Sequence, residues 1–223
     1  MKSKAERLKG TTSPKINVDE SLAHRLPPGQ VLTEKFPILH EGEVPEYDMS
    51  MWDLRVYGAV EEEVSFSYEN LLQFPMTNTV SDIHCVTRWS KFDTAWEGIR
   101  FTDFMKHFKI KPEAKYVMIH ADQDYETNLP IEALLRDDVL LAFKYDGKDL
   151  TPKHGWPLRL VVPEFYFWKS AKWIRGFEFM TEDRHGFWER NGFHNTADPF
   201  QEQRFSDEEL PIPEDEWMKK EFD

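Results

Sequence analysis

Apolar and polar residues alternate along "MWDLRVYG" (residues 51–58). Trp52, Leu54 and Val56 fall on one side, Asp53, Arg55 and Tyr57 on the other, which is the period-two pattern of a half-buried strand. "SYENLLQFP" (67–75) opens on Ser67, a good N-cap, and stops at Pro75, so it predicts a short helix. In "FTDFMKHFKI" (101–110) the residues Phe101, Phe104, Met105 and Phe108 follow the i, i+3, i+4, i+7 spacing of one helical face. "KYVMIHA" (115–121) reads as a buried strand, and "PIEALLRDD" (130–138) as a short helix with Pro130 in its first turn. "VLLAFKYDGKDL" (139–150) is a strand running into a hairpin turn at Asp146-Gly147. "PLRLVVP" (157–163) and "KWIRGFEFM" (172–180) are two further strands. Strands and short helices mixed without βαβ alternation predict an α+β domain with a mixed sheet. Residues 1–30 are polar and end in "LPPGQ"; they read as a mobile tail or surface arm ahead of a single domain over residues 31–223. The acidic end "LPIPEDEWMKKEFD" (210–223) is expected to wrap the surface.

Composition narrows the class. With 40% apolar and 14% aromatic residues, 223 residues can build a substantial core. No stretch approaches the roughly 20 apolar residues of a membrane helix. The basic N-terminus lacks the apolar run of a secretory signal. A single cysteine excludes an internal disulfide, and together these features lead us to expect a cytoplasmic protein without membrane insertion. A net charge of −13 argues against general nucleic-acid binding. The charge is uneven: Lys144 to Arg175 holds seven basic and three acidic residues, whereas Gly176 to the end holds five basic and fourteen acidic. The first segment has a local excess able to hold an anion.

The lone cysteine, Cys85, lies in "SDIHCVTRWS" (81–90), after a polar stretch and before Arg88, Ser90 and Lys91. Basic neighbours favour thiolate, which is a nucleophile or a soft metal ligand; an inert buried thiol is the other reading. A nucleophile needs a base, yet His84 is the adjacent residue and in an extended segment points to the opposite face. The histidines show no zinc-ligand spacing around one cysteine. A thiolate on a metal that brings its other ligands fits better. Further along, His154, Gly155, Arg159, Lys169, Ser170 and Lys172 crowd one strand-rich segment. Such a set suits a phosphate and a polar heterocycle, or simply a basic surface strand pair.

"HCVTRWS" together with "HGWPLRLVVP" and "KSAKWIRGFEFM" resembles the sulfite oxidase family of molybdenum enzymes, most closely its small stand-alone bacterial members. The likeness runs from "EKFPILHEGEVP" to "GFWERNGFHNTADPFQEQRF". It implies a mixed-sheet α+β molybdopterin-binding fold and a molybdenum–molybdopterin cofactor whose protein sulfur ligand is Cys85. It further implies that His154 and Arg159, in the family's HGxPxR element, hold the pterin and its phosphate, with Ser170 and Lys172 adding contacts. By the same resemblance His40 lies in the loop over the cofactor, Asp122 near the pterin, and Tyr125 points at the metal's oxo group. Arg88 is the implied anion-binding residue after the cysteine. Where sulfite oxidases carry an arginine in the "PILHE" loop, this chain has Leu39. No haem-attachment motif is present, so an external electron-transfer partner is implied. The expectation is an oxidoreductase moving an oxygen atom to or from a small sulfur or nitrogen oxide, with Tyr125 and Arg88 catalytic. Weak turnover of sulfite is expected unless another cation such as Arg175 enters the pocket. A non-catalytic molybdopterin carrier and a thiol enzyme using Cys85 as nucleophile are the alternatives.

Overall fold

The computed structural model describes residues 19–40 and 42–206 of the chain. Two sheets enclose the core. In the first, β1 (Val31–Leu32), β5 (Trp89–Arg100), β8 (Leu140–Tyr145) and β10 (Arg159–Val161) pair in that order, with β4 (Thr77–His84) also on β5 and β9 (Lys148–Asp149) on β8. In the second, β3 (Val64–Ser67), β2 (Asp53–Gly58), β11 (Ile174–Met180), β6 (Tyr116–Ala121) and β7 (Glu126–Pro130) pair in that order. The β1–β5 and β2–β11 pairs are parallel and the rest antiparallel, so both sheets are mixed. Helical turns are short, as at Tyr68–Leu71, Phe101–Phe104 and Ile131–Leu134. The α+β expectation holds.

Leu54, Val56, Val117, Ile119, Phe177 and Phe179 of the second sheet meet Ile99, Leu141, Phe143 and Leu160 of the first in one core. The first sheet is buried on its other face too: Trp96, Leu140, Ala142 and Val161 pack there with Phe36 and Trp89. Burial on both faces explains why "VLLAF" and "LRLVV" are continuous apolar runs and do not alternate. Between β5 and β8 the register shifts at Glu97/Gly98, where a Cβ on Gly98 would stand 2.1 Å from the Leu141 carbonyl oxygen. Only glycine permits that approach.

The local signals read from the sequence are realised. Ser67 and Asn70 form a reciprocal capping box. Phe101 and Phe104 are fully buried, and the turn passes through Met105–His107 before Phe108 becomes extended. Asp146 and Gly147, both at positive φ, close the β8–β9 hairpin. Strands β4 and β5 carried no such signal. β4 pairs only with β5, and its Val80 and Asn78 are exposed, so an edge strand reads as a polar loop.

Residues 19–30, read above as part of a mobile tail or surface arm, lie as an arm on the surface. Arg25 donates to both carboxylate oxygens of Asp82 (2.8 and 2.7 Å) and to Asp93 (2.6 Å), with its guanidinium 4.4 Å from the Phe92 ring centroid. Pro27 and Gln30 are buried. The acidic segment at 210–223 lies outside the described residues.

Candidate cofactor and active site

A cavity of about 510 Å³ opens between the loop from Phe36 to Glu43, the β4–β5 turn and the segment that joins β10 to β11. Of the nine residues singled out in the sequence, it brings together seven: His40, Cys85, Tyr125, His154, Arg159, Ser170 and Lys172. Arg88 and Asp122 are not among its lining.

Cys85 sits at the start of the turn between β4 and β5, neither of which the sequence revealed. Its N–H donates to the Trp89 carbonyl (2.8 Å), and its own carbonyl accepts from Arg88 N–H (3.0 Å) and Gln30 Nε2 (3.0 Å). The Thr87 hydroxyl donates to Cys85 Sγ at 3.1 Å. Burial pushes the thiol above its ordinary range, opposed by hydrogen bonds from Thr87 and Val86 and by the charge of Arg204. The basic neighbours expected to favour thiolate point elsewhere: Lys91 donates to the Glu34 carbonyl, and Arg88 does not line the cavity. His84 is buried, and its Nδ1 is paired with Ser90 Oγ at 2.8 Å. Burial lowers His84 to about 4, so it is neutral near pH 7 and turned from the thiol. His84 is therefore not the base that a nucleophilic Cys85 would need.

Arg88 lies outside the cavity for a backbone reason. With φ +72 it occupies the left-handed region, and its guanidinium lies on the Gly29 side of the turn. Asp122 is likewise engaged outside the cavity, accepting from the Tyr47 hydroxyl (2.6 Å). Arg175 is held by the Asp53 carbonyl (2.9 Å) and carboxylate (2.6 Å) and does not line the cavity either. Lys169 forms a fully buried pair with Glu189 (2.6 Å) and bonds Asn128, so it belongs to the scaffold.

The basic end of the cavity is built by β10 and the segment before β11. Arg159 and Lys172 face each other across an isolated antiparallel bridge. Arg159 is buried and donates to the carbonyls of His154 (2.9 Å) and Ser170 (3.0 Å), and its guanidinium lies 4.5 Å from the Phe167 ring centroid. Its Nε has no partner. Burial lowers Arg159 to about 9. Lys172 donates to the Leu39 and Lys153 carbonyls, and burial, helped by the Arg159 charge, lowers it to about 7. Among the described residues no carboxylate pairs with either cation. Gly155, at φ +112, packs over both: a Cβ there would stand 3.0 Å from Arg159 Cβ and 3.1 Å from Lys172 Cγ. The Ser170 hydroxyl accepts from Val162 N–H (2.9 Å), so this residue acts through its carbonyl on Arg159. His154 stacks on Phe36 with ring centroids 4.5 Å apart, and burial keeps its pKa low.

Tyr125 follows the β6–β7 turn, where Gln123 and Asp124 both have positive φ. Its hydroxyl donates to the Trp168 carbonyl at 2.5 Å, and burial raises its pKa well above the ordinary value. Sequence reasoning missed the aromatic wall of the cavity, Phe36, Trp89, Trp168, Trp173, Trp188 and Phe193. The only available signal was the density of tryptophan and phenylalanine in the matching motifs.

The residues fit a molybdopterin. Buried Arg159, with an orphaned donor, and half-buried Lys172 have no counter-anion among the described residues, which suits a phosphate. Flat aromatic walls suit a fused heterocycle, and Cys85 supplies one soft donor.

Comparison with known proteins agrees. Residues 41–188 match the family described as oxidoreductase molybdopterin binding domain. The oxidoreductase YuiH of Bacillus subtilis is 49% identical over 183 residues, 82% of this chain and 92% of that protein. The protein-methionine-sulfoxide reductase catalytic subunit MsrP of Campylobacter jejuni is 29% identical over 175 residues, 69% of this chain and 59% of that one. In fold, the chain resembles the sulfane dehydrogenase SoxCD of Paracoccus pantotrophus with a TM-score of 0.60 at 24% identity. That match covers 69% of this chain and 43% of the other.

Proposed function

The chain belongs to the molybdopterin-binding oxidoreductase family, and from that premise we propose that it is an oxygen-atom transferase acting on a small neutral sulfoxide or N-oxide, with Cys85 as the protein's metal ligand. The cofactor, when bound, supplies two-electron redox chemistry coupled to movement of an oxygen atom. Arg159 and Lys172 hold its phosphate, balancing charge that burial otherwise makes costly. Neutral His154, fixed by Phe36 and Thr151, borders the same end. The aromatic walls exclude water and orient the substrate.

Tyr125 has one hydroxyl proton, and Trp168 O holds it. Its oxygen accepts a bond as it stands; donating to a substrate oxygen requires the O–H to leave Trp168. Such a change of partner is a local rotation and needs no shift of the tyrosine's protonation state, which its raised pKa keeps neutral.

The observation that carries the substrate reading is the distribution of cations. The lining holds Arg159 and Lys172 at one end, both bonded to carbonyls, while Arg88, Lys91 and Arg175 are held elsewhere. Around the rest of the lining Ile38, Leu39, Val86, Trp188 and Phe193 stand beside His40, Glu43 and Thr87, none of them a lysine or arginine. A dianion such as sulfite would be desolvated there with no cation left to meet it. The relative named as a methionine-sulfoxide reductase supports the same choice. Electrons then come from an external redox partner. Steady-state kinetics with a dye donor or acceptor tests this. We expect kcat/KM for sulfoxides or N-oxides to exceed that for sulfite, and the reverse order overturns the assignment.

A further inference from the structure

The turn that carries Cys85 is held from outside. Gln30 Nε2 donates to the Cys85 carbonyl (3.0 Å), buried Arg204 donates from Nη1 to the Val86 carbonyl (2.7 Å), and Val31 N–H donates to the Arg88 carbonyl (2.8 Å). Arg204 also reaches the Pro28 carbonyl, which ties arm, turn and the segment after β11 together. A threonine hydroxyl on a turn ordinarily bonds a nearby main-chain group. Here three of the turn's four carbonyls already have donors, and the Thr87 hydroxyl lies instead against Cys85 Sγ at 3.1 Å, inside the cavity lining. An O–H has only one proton to give, so while Thr87 donates to sulfur its side chain donates to nothing else.

We propose that Thr87 is a positioning and tuning residue for the metal site: its hydroxyl fixes the Cys85 sulfur and draws electron density from it. This rests on the reading of Cys85 as metal ligand. A hydrogen bond to a ligating sulfur weakens its donation to the metal, favours the reduced metal and raises the reduction potential. The side chain at this position therefore sets how readily the site accepts electrons from a partner without touching the substrate.

The test uses the loaded protein from a cofactor-competent host, with Thr87→Val, Thr87→Ser and Cys85→Ser, and reads molybdenum content and dye-mediated midpoint potentials. Thr87→Val is expected to lower the potential by an amount equal to a tenfold change in the oxidised-to-reduced ratio, about 59 mV for a one-electron step. Thr87→Ser is expected to restore it. If Thr87→Val loses molybdenum and Thr87→Ser retains it, the hydroxyl is needed to hold the ligand, and the proposal stands in its stronger form. If valine leaves the potential unchanged, or serine fails in the same way as valine, the proposal is overturned. Cys85→Ser separates the two claims. Wild-type potentials in that variant sink the ligand assignment itself, whereas an altered Cys85→Ser with an unaltered Thr87→Val sinks only the role of Thr87.

Discussion

Arg159→Met removes the buried charge on which phosphate binding is argued to depend, and its effect divides between two states of the protein. Without cofactor, burial lowers Arg159 well below the usual guanidinium range, to about 9. At roughly 1.4 kcal/mol per pH unit, its charge costs the fold on the order of 5 kcal/mol. Against that stand two charged hydrogen bonds, to the His154 and Ser170 carbonyls, at about 1.5–3 kcal/mol each, so most of the cost is offset. Methionine fills similar volume against Phe167 and Trp96, relieving the charge while orphaning two carbonyls. The cofactor-free variant should therefore lie within about 2 kcal/mol of wild type by chemical denaturation. With cofactor, the variant loses a charge-assisted bond to phosphate of about 1.5–3 kcal/mol, a roughly 10- to 100-fold weakening. The assay is pterin released per folded chain, beside denaturation of the cofactor-free protein. Wild-type cofactor content in Arg159→Met would refute the reasoning.

Two other outcomes follow from the same geometry. Leu39→Arg places a cation at the rim and should raise the ratio of kcat/KM for sulfite over that for a neutral sulfoxide by about tenfold, as one charged contact provides; an unchanged ratio places Leu39 away from the substrate. His84, lowered by burial to about 4, binds its proton in the unfolded chain before the folded one as pH falls. Its contribution is thus present above about pH 6.5 and is lost on the way down to pH 4, to the extent of about 3 kcal/mol. Acid denaturation of His84→Gln should show a flatter limb in that window, and a limb as steep as wild type contradicts the assignment.

Wherever local chemistry determined structure, the sequence was legible. The alternation in β2, the Ser67 cap and the Asp146-Gly147 turn each depend on a few adjacent residues. Buried strands β8 and β10 were legible for a different reason, since burial on both faces leaves an unbroken apolar run. Edge strand β4 was not, because its side chains face water on one side and the cavity turn at its end. In the site, residues within motifs of fixed spacing came together as read: Cys85, His154, Arg159, Ser170 and Lys172 all line one cavity. Arg88 did not; it was chosen because the resemblance implies an arginine in the segment after the cysteine, here at a shorter spacing. A left-handed backbone at that position reverses the direction of a side chain, and nothing in "CVTRWS" announces it. Asp122 was drawn away by Tyr47, 75 positions distant, a contact no local pattern encodes.

X-ray absorption at the molybdenum edge, on loaded wild-type protein and Cys85→Ser, asks whether Cys85 ligates the metal, because it counts sulfur neighbours without reference to turnover. Cys85 supplies the protein's one thiol. The variant should show one sulfur fewer around the metal than wild type, with molybdenum still present or partly lost. An identical sulfur shell in both proteins would rule out Cys85 as the metal ligand.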